Sequence, residues 1–240
     1  MQVWRIGWLF FIANDANSNP NNNPNNNPDN DGDLMSAAAL NTIPTDLSTY
    51  QLTDQFVVQR ASKEDLAEVL AIYNQSIPGK QATANLALVT LEERAAWFDE
   101  HLDSATRPIY VVKALPSNNV DQTKAPIVAW GSFSDLYART AYHISTEISI
   151  YLNQDYQGKG LGSLLTRWML TQAPSLGIRN IIALVFAHNH PSLGLFRKLG
   201  FEQWGYMPEV CDMEGFIADV VMLGKSVTSD DILDKAPETI

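Results

Sequence analysis

The chain has 240 residues, 45% of them hydrophobic, and a formal net charge of −11; this is enough apolar content for one domain with a real core, and the wrong sign for a nucleic-acid binder. A single cysteine, Cys211, excludes an internal disulfide and fits a reducing compartment. No run of ~18 apolar residues is present, so no membrane-spanning helix is expected.

The charge sits mainly at the ends. Residues 1–54 carry six Asp against Arg5, net −5, and residues 229–240 carry four acids against Lys235, net −3, leaving −3 for the stretch between. The acidity therefore says little about a substrate. Residues 1–12, MQVWRIGWLFFI, have the apolar character of a clipped signal peptide, but Ala13 to Ala16 makes a poor cleavage site. Met35 is an alternative start. Residues 17–33 hold Pro-Asn-Asn-Asn repeats and an Asp-rich run, a composition unable to bury a core. The expected organisation is a disordered extension over 1–53, a folded domain over 54–228 and an acidic tail over 229–240.

Phe56 to Gln59 reads as the first strand. Ser62 stands as an N-cap, and Leu66, Val69, Leu70 and Tyr73 fall on one helical face behind it. Gln75 to Leu88, with Pro78-Gly79, is a polar irregular loop. Thr90 with Glu93 forms a capping box for a second helix to about His101. Pro108 to Lys113 and Ile127 to Phe133 read as strands around a polar loop at Asn118-Asn119, and Tyr142 to Leu152 as one long central strand. Leu161, Leu164, Leu165, Trp168 and Met169 then recur at helix spacing towards Gly177. Asn180 to Phe186 is a buried strand by its Ile, Leu and Val content. Pro191 opens a short helix that Gly200-Phe201 ends, and strands near Glu202 to Tyr206 and Ile217 to Leu223 close the domain.

Between the central strand and its helix lies Gln157-Gly158-Lys159-Gly160-Leu161-Gly162. Glycine lets backbone N–H groups approach a ligand with no Cβ in the way. The first helical turn has N–H groups without internal partners and a partial positive charge. Together they suit a phosphate or pyrophosphate, and Lys159 can add a point charge. A P-loop would need Ser or Thr after the lysine, where Gly160 stands; the dinucleotide fingerprint needs G-x-G-x-x-G, and these glycines run G-x-G-x-G. An ordinary tight turn is the plain alternative.

The pattern Q-x-x-G-x-G after a strand resembles the acetyl-CoA site of the GNAT superfamily of N-acetyltransferases. Asn189-His190-Pro191-Ser192, followed by Leu195-Phe196-Arg197-Lys198-Leu199-Gly200-Phe201, resembles that family's N-x-x-S signature and a helix ending in L-G-F. Arg139-Thr140-Ala141-Tyr142 and the E-x-S-x-Y run of Glu147, Ser149 and Tyr151 resemble the phosphinothricin-type branch, which Trp97 also fits. The likeness covers about residues 55–226. It implies an α/β (α+β) GNAT fold: a mixed, mostly antiparallel central sheet flanked by helices and splayed at the strand that meets acetyl-CoA. It implies an N-acetyltransferase with acetyl-CoA as co-substrate and no metal. The acceptor implied is a small-molecule amine, an amino acid or analogue of the phosphinothricin, methionine sulfoximine or methionine sulfone type. A protein N-terminus, a polyamine or an antibiotic is the alternative acceptor, and an acyl-CoA-binding module without chemistry is the non-enzymatic alternative. No nucleic-acid or membrane partner is expected; a homodimer and a cytoplasmic location are.

By the same resemblance, backbone groups of Ile150, Tyr151 and Leu152 hold the pantetheine arm. Gln157, Gly158, Lys159, Gly160, Leu161, Gly162 and Ser163 hold the pyrophosphate. Asn189 binds the pantetheine, or serves as a helix N-cap. An acceptor ammonium must lose a proton before it attacks, and Glu147 is the candidate base, against the plain reading of a solvated strand glutamate. A backbone N–H near Ile150 to Leu152 is the expected donor to the developing oxyanion. Arg139, with Thr140 beside it, is the candidate for an acceptor carboxylate, because guanidinium binds carboxylate through two parallel bonds. Phe133 is the candidate pocket wall, with Trp130 on the same strand as the other choice. Phe196 stands where many family members carry a proton-donating Tyr, or His in this branch, and Tyr206 is a weak substitute. His188 and His190 lack nearby carboxylates or cysteines and make a poor metal site; His101 and His143 read as structural or exposed.

Overall fold

A computed structural model describes residues 49–115 and 125–227. The acidic tail, the Asn118-Asn119 loop and most of the expected N-terminal extension lie outside them. Segments with β-branched and aromatic residues at alternate positions form eight strands: β1 (Tyr50–Thr53), β2 (Phe56–Arg60), β3 (Ile109–Ala114), β4 (Ile127–Asp135), β5 (Ser145–Leu152), β6 (Asn180–Phe186), β7 (Glu202–Asp212) and β8 (Ile217–Ser226). Helix-spaced apolar residues form α1 (Leu66–Ser76), α2 (Leu91–Asp103), α3 (Leu161–Gln172) and α4 (His190–Lys198). The strands make one sheet in the order β1-β2-β3-β4-β5-β6-β8-β7. Every neighbouring pair is antiparallel except β5 and β6. This is the mixed, mostly antiparallel sheet the sequence implied.

Caps fix the two helices that precede the sheet's middle. The Ser62 amide and hydroxyl meet Asp65 Oδ2 at 2.8 and 3.1 Å ahead of α1. At α2, Glu93 Oε2 accepts from the Thr90 amide at 2.8 Å while Thr90 Oγ1 accepts from the Glu93 amide at 3.3 Å, the reciprocal box its sequence spells.

Three boundaries differ from expectation. The sheet starts at Tyr50, inside the stretch assigned to the extension. The long strand expected from Tyr142 begins instead at Ser145, after a 3₁₀ turn over Thr140–Ile144. That turn is held from a distance: Arg107 Nη2 donates to the carbonyls of His143 and Ser145 at 2.7 and 3.3 Å, while its Nε pairs with Asp135 at 2.7 Å. The closing hairpin is longer than expected, because β7 runs on to Asp212 and β8 to Ser226 through a shifted register between Met207 and Cys211.

Successive side chains of a strand point to opposite faces, so β4 and β5 divide the core in two. On one face, Phe133 and Ile148 join Leu161, Leu165 and Met169 of α3 and Phe196 of α4. On the other, Trp130 joins Val69 and Tyr73 of α1 and Phe98 of α2, with Trp97 and Tyr151 packed alongside. Gly131 lets α3 ride close: a Cβ there would lie 2.6 Å from Met169 Sδ and 2.8 Å from Ile150 Cδ1. The loop between α1 and α2 crosses the second face as a strap. Lys80 Nζ donates to the carbonyls of Met213 and Glu214, His188 Nε2 donates to the Lys80 carbonyl at 2.9 Å, and Tyr73 OH lies 2.7 Å from Thr83 Oγ1.

Candidate active site

The parallel ladder between β5 and β6 covers only Ser145–Asn180, Thr146–Ile181 and Glu147–Ile182. Beyond Glu147, β5 stays on β4 as far as Leu152, and β6 stays on β8 as far as Phe186. The two strands therefore part after Glu147, and the backbone edge of Ile150, Tyr151 and Leu152 faces an open wedge. An extended ligand arm can pair with such an edge as an added strand does.

Glu147 stands at the vertex of the wedge. Burial pushes its carboxyl up to about 7 from the ordinary value of 4.5. A base that titrates near neutrality is matched to taking a proton from an amine. On its face, three cross-strand pairs follow in register: Trp130 with Tyr151, Ser132 with Ser149, and Ser134 with Glu147. Helix α2 lays Arg94, Trp97 and His101 over this ladder at i, i+3 and i+7 spacing. The Trp130 and Tyr151 rings stack with centroids 4.6 Å apart, and Trp97 lies 6.0 Å from Trp130. His101 Nδ1 donates to the Trp97 carbonyl at 2.8 Å, so Nε2 accepts from the Ser134 hydroxyl at 3.0 Å. Burial lowers the His101 pKa, which keeps this imidazole neutral beside Glu147's strand partner. Tyr151 is raised by burial, so it keeps its phenolic proton and donates to the Ala82 carbonyl of the strap at 3.3 Å.

Among the described residues, the buried side-chain polar atoms without a hydrogen-bond partner are Arg94 Nε, Trp130 Nε1, Ser132 Oγ and Trp168 Nε1. The first three belong to the face that carries Glu147. Buried polar groups are nearly always satisfied, so this concentration marks a place where a polar ligand completes the bonding.

The other end of the wedge meets the glycine turn. Gly158 and Gly160 have φ of +71° and +82°, the left-handed region that a Cβ penalises. Gly160 is the N-cap of α3 and supplies no side-chain cap, and a Cβ at either glycine would meet nothing within 4 Å. The first-turn amides of α3 thus lack a side-chain cap, beside a turn with open space at both glycines. Lys159 Nζ lies 5.4 Å over the Tyr156 ring at the same mouth. Gly162 is a packing glycine: its Cβ would lie 3.1 Å from Leu195 Cδ1 and 3.5 Å from Leu152 Cδ1, so it draws α3 against α4 and β5. Leu161 is buried beneath the turn, Ser163 half-buried, and Gln157 and Lys159 exposed. An amide-bearing turn, an open strand edge and a carboxyl raised to about 7 at the vertex are an arrangement able to take a diphosphate, an extended arm and a proton.

Several expected site residues lie elsewhere or are otherwise engaged. Phe133 has zero exposure and faces the α3 side, opposite to Glu147, because it is an odd number of residues from Trp130 and Ser134 along β4; Trp130 shares the face of Glu147. Arg139 and Thr140 are exposed at the turn before β5. Asn189 is used at both ends: Oδ1 accepts from the Ser192 amide at 3.1 Å as the N-cap of α4, and Nδ2 donates to the Gln81 carbonyl at 2.9 Å. It fastens the strap. Phe196 is core, edge-on to Phe201. The Tyr206 hydroxyl is bonded to Asp219, which raises its pKa. His188 lies between the rings of Phe186 and Phe216. No metal-holding group of His, Cys, Asp and Glu occurs among the described residues. His101 is structural, one of the two readings its sequence offered, whereas Arg94 and Ser134 join this face without a local signal, because each reads as an ordinary helix or strand residue.

A sheet opened in this way beside an amide-lined bend is a cradle for a thioester carrier, and the class it defines is an acyltransferase. The chain belongs to the acetyltransferase (GNAT) family, whose sequence model matches residues 71–201. It is 41% identical over 168 residues to YwnH of Bacillus subtilis, a provisionally named phosphinothricin acetyltransferase, covering 70% of this chain and 97% of the relative. It is 30% identical over 166 residues to the L-methionine sulfoximine/L-methionine sulfone acetyltransferase of Pseudomonas aeruginosa, covering 69% of this chain and 91% of the relative. Among solved structures, it is similar to a GNAT superfamily phosphinothricin acetyltransferase from Sinorhizobium meliloti in complex with acetyl-CoA, with 26% identity and a TM-score of 0.65 over 77% of this chain and 94% of that one.

Proposed function

We propose that the protein transfers the acetyl group of acetyl-CoA to the amine of a small amino acid or analogue, of the phosphinothricin, methionine sulfoximine or methionine sulfone type. The observation that carries this is Glu147, a carboxyl raised to about 7 at the point where β5 leaves β6. The names of the relatives at 41% and 30% identity support the acceptor class.

Acetyl-CoA supplies a thioester carbonyl open to attack. The backbone of Ile150, Tyr151 and Leu152 holds the pantetheine arm along the wedge, and the amides from Gly158 to Ser163 neutralise the diphosphate. Glu147, directly or through one water, takes the proton from the acceptor ammonium, so the nitrogen lone pair is free to form the C–N bond. A backbone N–H of the wedge strand donates to the carbonyl oxygen as it gains charge. The C–S bond breaks with its electron pair on sulfur. The nitrogen gives up its second proton to solvent to become a neutral amide, and solvent protonates the thiolate, because Phe196 has no ionisable proton and Tyr206 is held by Asp219. Arg139 and Thr140 stand at the rim of the acceptor side. A homodimer and a reducing, cytoplasmic setting, the latter in keeping with the lone thiol Cys211, complete the reading.

An acceptor screen tests it. Purified protein with acetyl-CoA is expected to release free thiol with phosphinothricin, methionine sulfoximine or methionine sulfone at kcat/KM on the order of 10⁴ M⁻¹s⁻¹ or better. Faster turnover of a polyamine, a peptide N-terminus or an aminoglycoside would replace the acceptor class. Acetyl-CoA binding without thiol release for any amine would make the protein a binding module.

A further inference from the structure

Among the described residues, Arg94 is a cation without a counter-charge. Its Cζ lies 3.6 Å from the centroid of Trp97 and 4.7 Å from that of Tyr73, so two rings fix the plane of the guanidinium. The ion pairs among the described residues are Arg107–Asp135 and Lys113–Asp65, and Arg94 is in neither. Its Nε is buried and has no hydrogen-bond partner among the described residues. Burial also lowers its pKa, so the site disfavours an uncompensated positive charge.

Its position is on the acceptor side. Tyr73, under the guanidinium, lies 5.0 Å from Tyr151, and the Tyr73 hydroxyl bonds to Thr83 and Asn85 of the strap. Four residues back along β5 from Tyr151 is Glu147, ~13 Å away at ~3.3 Å per residue. An acceptor lying along this face would have the Arg94 guanidinium near the Tyr151 end for its carboxylate and Glu147 towards the other end for its amine, reached directly or through water.

We propose that Arg94, rather than the exposed Arg139, binds the carboxylate of the acceptor, and that it selects amino acids over amines without an adjacent acid. This rests on the acceptor class proposed above. A guanidinium held flat by aromatic rings presents its nitrogens as a fork, and carboxylate is the anion that accepts two parallel bonds from it. The arriving carboxylate supplies the missing counter-charge and gives Nε a partner. A polyamine brings a second cation to the same place and is rejected.

The test compares the best amino-acid acceptor with its primary amide in the wild-type protein, Arg94→Gln and Arg94→Lys. Wild type is expected to prefer the acid by about 30-fold or more, chiefly through KM. In Arg94→Gln, KM for the acid rises by about 10–100-fold, while the amide and acetyl-CoA values stay within about 3-fold. Arg94→Lys keeps the charge and loses the fork, so the acid alone suffers, to an intermediate degree. That variant carries the test where Arg94→Gln does not fold. Equal losses for acid and amide would reduce Arg94 to a packing residue and overturn the proposal, as would loss of the preference in Arg139→Ala instead. Wild-type protein that acetylates acid and amide equally leaves the acetyltransferase reading standing and overturns only the role of Arg94. Wild-type protein that acetylates no amino acid removes both.

Discussion

Glu147→Gln is expected to lower kcat by about 10²–10⁴-fold, the range for loss of a positioned general base, with KM for acetyl-CoA held within about 3-fold. The substitution keeps the shape of the side chain and removes only its capacity to take a proton. Steady-state thiol release at saturating acceptor measures it. The pH profile separates the base from a mere packing role. A base must be ionised to act, so wild-type kcat falls as pH drops through about 7, where Glu147 gains its proton; Glu147→Gln is expected to lose that limb. Stability moves the other way. The folded carboxyl titrates near 7 and the unfolded one near 4.5, so folding binds an extra proton between those values. The group's contribution is fully present below 4.5 and is lost as pH rises through about 7. Thermal melts are therefore expected to show Glu147→Gln more stable than wild type at pH 8 and level with it at pH 4. A pH-independent offset would mean that Glu147 does not feel the burial assigned to it.

Gly160→Val is expected to weaken acetyl-CoA binding by about 100-fold. Two effects add. At φ +82° a side chain costs about 1–2 kcal/mol, and more for a β-branched one. The valine methyls would also project from the N-cap of α3 into the open space that the diphosphate needs. Titration calorimetry with acetyl-CoA reads the result. Gly194→Ala is the control: it lies in α4, away from the left-handed region, and its Cβ would meet nothing within 4 Å. Wild-type affinity in Gly160→Val would place the diphosphate away from this bend.

What the sequence disclosed was what is local. The Thr90–Glu93 box, the glycines at 158, 160 and 162, and the Asn189 cap are each written in a few adjacent residues, and the structure places each where its local chemistry dictates. The resemblance singled out Glu147 and a splayed central strand, but nothing in the residues themselves states that β5 and β6 part at Glu147. Features set by distant contacts were hidden. The 3₁₀ turn at Thr140–Ile144 depends on Arg107, whose guanidinium reaches it across the fold. Alternation put Phe133 and Trp130 on opposite faces of β4, but only the placement of the helices decides that Trp130 lies under α1 and α2 and Phe133 under α3. Arg94 follows Glu93 in an exposed first turn and reads as a solvated helix residue; its rings come from α1 and α2 together. Four-residue β1 was too short to announce itself beside a low-complexity run.

A crystal structure with acetyl-CoA at saturating concentration is the most direct measurement. The diphosphate is expected within about 3 Å of the amides from Gly158 to Ser163, with the arm paired along Ile150 to Leu152 and the thioester beside Glu147. A diphosphate bound elsewhere, with that bend left bare, would contradict the proposed chemistry from its first step.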